Sequence, residues 1–195
     1  IMKEINYIDL GFHMGQEIKT MLSTFKDYNI NIYGLEGNTK LYNDLKKHYK
    51  DKPNIHLYNF CIGDSFQKIK LYLVANKGQG SSIYKDKTTN LTSKFIEVEQ
   101  TTFYHWFTSL KLKECPTIMK INIEGAESHV IRDMDKYNLF DKIDYILAAY
   151  GSLLTDMRKI PSLHKDIPVL EKILEPFKHK IYDIKIISNG LKDKL

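Results

Sequence analysis

The 195-residue chain has only two cysteines and two arginines, few prolines, and no apolar run long enough to span a bilayer. Cys61 and Cys115 are too few for a disulfide framework and match no metal-ligand spacing, so both read as buried thiols. Arg132 and Arg158 stand alone among many lysines. Bidentate guanidinium contacts dominate base and phosphate recognition, so this scarcity argues against a dedicated nucleic-acid reader. The opening "IMKEINYIDL" carries acid and lacks both an apolar signal core and a small-residue cleavage site. No targeting segment is visible, and a cytoplasmic protein is expected. The "NLT" at Asn90 has the form of a glycan acceptor, a chance match in a chain without a secretory signal.

What is present is ordinary for a globular chain: 43% hydrophobic and 27% charged residues, with a net charge of +5 spread along the sequence. The length suits one domain over residues 1–195, and no internal repeat or interdomain linker shows. Short apolar strands alternate with helix-length amphipathic patterns. "INYIDL" precedes "QEIKTMLSTFKDY", where Ile18, Met21, Leu22 and Phe25 recur at helical spacing; "INIYGLE" precedes "TKLYNDLKKHYK"; "NIHLYNFCI" follows Pro53. Strand and helix in alternation predict a parallel βαβ series with helices on both faces.

"IKLYLV" and "FIEVEQ" then break that rhythm, separated by the polar stretch "ANKGQGSSIYKDKTTNLTSK". They predict a β-rich insertion after the third strand, with "GQGSSIYKDKTTN" as a lid or acceptor-side loop. The alternation resumes with strand "TIMKINI", helix "AESHVIRDMDKY", strand "DYILAAY", helix "IPVLEKILEPFK" and strand "IYDIKII". The expected fold is α/β, a doubly wound, mostly parallel sheet; whether a final antiparallel strand pair is complete is left open by the short C-terminal part.

In such sheets ligands lie beyond the carboxyl ends of the strands, where the first strand-to-helix turn presents free backbone N–H groups. Here that turn is "DLGFHMG", with Asp9, Gly11 and Gly15. Its D-x-G-x-x-x-G spacing is not the dinucleotide fingerprint, so pyrophosphate binding loses ground. Glu36 ends the second strand 27 residues after Asp9, beyond the ~20 usual in a dinucleotide fold. A carboxylate there can accept from two ribose hydroxyls. The bland alternative has Asp9 capping the helix and Glu36 solvated.

"MKINIEGAESHVI" places Lys120, Asn122 and Glu124 on one side of a strand by two-residue alternation. A polar row inside an apolar strand is costly unless its members pair or serve a ligand. Lys120 and Glu124 neutralising each other is the structural alternative. His13 in the glycine turn, His105 and Trp106 in "FYHWF", and His129 all have ordinary packing or solvated roles as their simpler readings.

"YIDLGFHMG", "GLEGN", "FCIGD", "GQGSSIY" and "MKINIEGAESHVI", in this order, resemble the FkbM-type S-adenosylmethionine-dependent methyltransferases, from about Asn6 to Ile131. The resemblance implies a class I, Rossmann-like fold and an S-adenosylmethionine cofactor. It implies cofactor contacts from Asp9, Gly11 and Gly15 to the methionine part, from Glu36 to the ribose, and from Cys61, Ile62 and Asp64 beside adenine. The family pattern has aspartate where this chain has Asn122, which removes a possible proton acceptor, metal ligand or partner of the sulfonium. A divalent metal is therefore an open question, and no metal ligands are assigned. Glu124 is the first candidate base, with Lys120 and Asn122 as positioning groups; Glu127 could serve the helix N-terminus.

Three readings stand at this point: O-methylation of a sugar, glycan or other small hydroxylated acceptor; methylation of RNA, suggested by the +5 charge; and a non-catalytic cofactor-fold protein, suggested by Asn122.

Overall fold

The structure, a computed structural model, describes residues 2–75, 80–89 and 91–195. Residues 76–79, of which 78 and 79 belong to the proposed lid, and Asn90, which belongs to both the lid and the sequon, lie outside the described residues. In chain order the elements are β1 (Lys3–Leu10), α1 (Gln16–Thr24), β2 (Tyr28–Leu35), α2 (Thr39–His48), β3 (Ile55–Tyr58), β4 (Cys61–Ile62), β5 (Gln67–Val74), β6 (Leu91–Thr101), α3 (Phe103–Ser109), β7 (Thr117–Ile121), α4 (Glu127–Lys136), β8 (Tyr145–Ala148), α5 (Ile167–Leu174) and β9 (Ile181–Asp183).

Six strands form the main sheet in the order β3-β2-β1-β7-β8-β9, every pair parallel. The chain winds outward from β1 to β3 on one side and from β7 to β9 on the other. The crevice between β1 and β7 is thus the switch point at which such sheets bind ligands. Alternate residues of β1 feed two cores: Ile8 and Leu10 pack with Met119, Ile121 and Val130 on one face, Ile5 and Tyr7 with Ile18, Met21 and Phe25 on the other. The helical spacing read for Ile18 and Met21 is therefore the buried stripe of α1.

The insertion is a second sheet, β4-β6-β5, with β5 and β6 antiparallel and a small core of Cys61, Leu71 and Val98. Two strand expectations need correction. "NIHLYNFCI" is not one strand: the chain leaves the main sheet at Tyr58, and Cys61 pairs with Gln100 in the second sheet. Between them the Asn59 amide donates to the carbonyls of Glu36 (2.8 Å) and Gly37 (3.2 Å), which turns the chain over the end of β2. "IYDIKII" is a strand only to Asp183, because the Asp183 carboxylate accepts from Lys185 N at 2.8 Å and closes a turn that continues as 3-10 helix. No antiparallel strand joins the main sheet among the described residues. Among the described residues no helix is long and apolar enough to cross a membrane.

Candidate functional site

The turn after β1 spends several of its N–H groups on neighbouring backbone. Gly11 has φ +88°, and a Cβ there would lie 2.0 Å from the Asn122 carbonyl oxygen. Gly11 N and Phe12 N donate to Leu35 O at 3.1 and 2.8 Å, and Gly15 N to Phe12 O at 2.8 Å. The expectation of free N–H groups is thus overturned at these positions. Gly15 faces the core, where a Cβ would meet the Phe12 ring and the Tyr49 hydroxyl, both at 2.9 Å.

Asp9 is fully buried behind this turn. Its Oδ1 accepts from Lys120 Nζ at 2.9 Å, while Oδ2 has no partner. Burial pushes its pKa up to about 6 against the pull of Lys120. Lys120 also donates to Gly11 O at 2.7 Å and has the Glu17 carboxylate at 3.9 Å. Burial works against its charge, but Asp9, Glu17 and Glu36 together outweigh burial and hold the ammonium protonated. Asp9 therefore anchors Lys120; it neither caps α1 nor lines the cavity.

Glu36, also buried, accepts from His13 N at 2.8 Å and from Asn38 N at 2.7 Å. Burial raises its pKa, and the two N–H donors offset part of that rise. Two oxygens fixed by backbone donors give this carboxylate one orientation, toward the cavity.

The strand alternation read for Lys120, Asn122 and Glu124 stops at Ile121. Glu124 has φ +59° and Gly125 φ +113°, so Glu124 reaches the site from a left-handed turn, while Asn122 N still donates to Leu10 O of β1 at 3.0 Å. Glu127 secures that turn by accepting from Ile123 N (2.7 Å) and Gly125 N (2.6 Å). Burial, with Asp156 adding to it, pushes the Glu127 pKa up to about 7. Glu124 pairs not with Lys120 but with Lys87, whose ammonium also donates to Gly80 O at 2.8 Å. Ser82 Oγ donates to Glu124 O at 2.6 Å, Thr88 N to Lys159 O at 2.8 Å, and Ser162 N to the Asp86 carboxylate at 2.7 Å. Residues 80–89 are thereby docked across the carboxyl ends of the strands.

Beneath them lies a cavity of about 250 Å³. One wall is apolar, with Leu35, Phe60, Cys61, Ile62, Leu71 and Ile83; the other carries His13, Gln16, Glu17, Glu36, Lys120, Asn122 and Glu124. The family profile described as Methyltransferase FkbM domain matches residues 9–179. The chain belongs to the FkbM methyltransferase domain family. The crystal structure of methyltransferase FkbM from Methylobacillus flagellatus KT superposes with a TM-score of 0.50 and 13% identity, over 87% of this chain and 36% of that one. The chain therefore spans about a third of that protein, and at this identity the likeness speaks for the fold. No curated protein matches the chain.

Within this FkbM-type domain, the cavity brings together Gly11, Glu36, Cys61, Ile62, Lys120, Asn122 and Glu124 from the residues singled out in the sequence. Asp9, Gly15 and Asp64 do not line it. Asp64 is exposed, with its carboxylate taken by Ser65 Oγ at 2.8 Å and Gln100 Nε2 at 3.4 Å. The Ser65 bond is the main reason its pKa lies below the usual range. Burial pushes the Cys61 thiol up to about 12, so it packs as an apolar group. Cys115 is half-buried. Trp106 is buried against Tyr58, Phe60 and Phe103, a core residue one layer behind the cavity wall. His105 is exposed beside Phe66, and His129 bonds the Tyr84 hydroxyl at 3.0 Å. Among the described residues no group of three or more His, Cys, Asp or Glu side chains is placed to hold a metal ion.

Sequence reasoning missed Gln16, Glu17, Phe60, Ile83 and Lys87. "GQE" directly after the glycine turn places polar side chains at the helix start beside the site, a signal available for Gln16 and Glu17. Nothing local marks Lys87, whose role depends on where its loop docks.

Proposed function

We propose that this FkbM-type domain binds S-adenosylmethionine in the cavity and methylates a hydroxyl of a small acceptor, a sugar ring or similar metabolite. The observation that carries this reading is the charge of the lining: among the described residues Glu17, Glu36 and Glu124 face the cavity with the ammonium of Lys120, and of these carboxylates Glu124 is paired with Lys87, in a chain whose net charge is +5. A carboxylate-rich cavity in a basic protein suits a ligand bearing a sulfonium and an ammonium. Its apolar wall suits a purine, and Glu36, held in one orientation, suits the two ribose hydroxyls. The residues present therefore fit the cofactor.

When bound, the cofactor would supply an electrophilic methyl group on sulfur for an acceptor oxygen, with its sulfur leaving as a neutral thioether. The chain's part is to align the partners and take the hydroxyl proton. Glu124 is the base, since its left-handed turn brings the carboxylate to the cavity. With Oε2 holding Lys87, Oε1 is left for the proton. Lys120, pinned by Asp9, sets the position of the glycine turn through Gly11 O and balances the carboxylates around it. Incubation with methyl-labelled cofactor and a panel of hydroxylated acceptors tests this reading; label in an acceptor supports it.

A second reading, cofactor binding without transfer, is favoured by Asn122 and by the Lys87 ion pair, which together leave less free carboxylate at the transfer site. It predicts binding of the demethylated cofactor with no labelled product from any acceptor.

A further inference from the structure

The two charged residues that β7 and its turn bring to the cavity, Lys120 and Glu124, each have an ion-pair partner that does not line it: Asp9 for Lys120 and Lys87 for Glu124. Asn122, between them, carries no charge. Lys87 comes from residues 80–89, whose Gly80, Ser81 and Ile83 form part of the cavity wall. Its side chain is 2% exposed, and its ammonium is shared between the Glu124 carboxylate and Gly80 O at 2.8 Å. Glu124 thus faces the cavity while a cation outside the lining, shielded from water, offsets its charge.

Strand order gives this balance a place in the chemistry. Glu36 ends β2, the glycine turn follows β1 and Glu124 follows β7, and the three strands are neighbours in the order β2-β1-β7. If Glu36 takes the ribose, the part of the cavity left for the sulfonium lies between the β1 and β7 turns. A sulfonium loses its charge as the methyl group leaves, so a carboxylate bound to that charge stabilises the starting state more than the transition state. Glu124 without Lys87 would be such a carboxylate. Its side chain is only 18% exposed, and a charge there is weakly screened by water.

We propose that Lys87 is a positioning residue that withholds the Glu124 carboxylate from the cofactor's sulfonium, so that Glu124 does not make the cavity favour the charged cofactor over its neutral demethylated product. The proposal rests on the methyltransferase reading and adds to it the way the site limits its hold on the reactant's charge. Glu17 and Glu36 still attract a cationic ligand to the cavity, and Lys87 spares Glu124 from that task.

The test is calorimetric titration of S-adenosylmethionine and S-adenosylhomocysteine into the full chain, because the two differ at the sulfur by one methyl group and one positive charge. The quantity read is the ratio of their affinities. Lys87→Met and Lys87→Gln are each expected to raise the preference for the charged ligand by about tenfold or more, since Glu124 then meets it without a partner cation. Glutamine keeps a side-chain N–H donor, so the second variant holds the loop if the first unfolds. Lys87→Arg, which keeps the charge, should leave the ratio near that of the parent. In Lys87→Met combined with Glu124→Gln the rise should vanish. A pair that only anchors the loop would shift both affinities alike and leave their ratio unchanged. The proposal is overturned if neither neutral variant raises the ratio, or if the rise persists in the double variant. Binding of both ligands to the parent with an unchanged ratio in the variants sinks the role of Lys87 alone, and absence of binding to the parent sinks the methyltransferase reading with it.

Discussion

Lys87, from the loop that crosses the site, forms a buried ion pair with Glu124 at the end of β7, and this pair ties the loop to the cavity floor. The Lys87 side chain is 2% exposed and that of Glu124 18%. The Lys87 ammonium cannot regain water without moving the loop, whereas Glu124 also faces the cavity. The same ammonium holds the Gly80 carbonyl, so one side chain fixes both ends of the turn above the cavity.

Removing Lys87 leaves the Glu124 carboxylate, 18% exposed, without its partner, at a cost of about 1 to 3 kcal/mol. Lys87→Met is expected to lower stability by that amount in urea denaturation. The double variant Lys87→Met with Glu124→Gln should recover much of the loss, because it removes both charges. If the single variant is as stable as the parent, the pair does not hold the loop.

Gly11 makes a sharper prediction than its place in a glycine turn suggests. The Cβ of Gly11→Ala would sit 2.0 Å from the backbone oxygen of Asn122, at a φ of +88°. Backbone at that distance cannot yield cheaply, so a loss of at least about 2 kcal/mol is expected before any ligand is considered. Denaturation of the ligand-free variant checks it. A wild-type midpoint would mean that the β1 and β7 turns are not in contact.

Two buried carboxyls set a pH dependence. Asp9 is pushed up to about 6 and Glu127 to about 7, both chiefly by burial. Between about pH 4 and 7 the folded chain then holds more protons than the unfolded one, so these groups make stability fall as pH rises through that window. His129, whose pKa burial lowers, works in the opposite direction near neutrality. The comparison is therefore between variants: Glu127→Gln should flatten the decline between about pH 4.5 and 7 while lowering stability overall, since one of the two turn N–H groups loses its acceptor. Parallel pH profiles for parent and variant would place the titration elsewhere.

The strands and their order were legible because each parallel strand is buried on both faces and reads as a short apolar run between helical patterns, as "INYIDL" and "TIMKINI" do. The ends of elements were less so: the turn at Asp183 is closed by one local hydrogen bond that no periodicity announces. In the site, sequence spacing singled out Glu36, Lys120 and Glu124 but could not name their partners. Lys120 meets Asp9 across 111 positions and Glu124 meets Lys87 across 37, pairings set by strand order and loop docking. Asp64 stands outside the cavity lining, since the break at Asn59 sends the chain after β3 into the second sheet.

The central claim, that the cavity holds S-adenosylmethionine with Glu36 at the ribose, is tested most directly by calorimetric titration of S-adenosylhomocysteine into the parent chain and into Glu36→Gln. Two hydroxyl hydrogen bonds to a charged group predict saturable binding to the parent and a loss of about 1.5 to 3 kcal/mol in the variant, roughly tenfold to a hundredfold in affinity. Circular dichroism should show the same folded chain in both. No binding to the parent, or equal affinity in the two, would contradict the account.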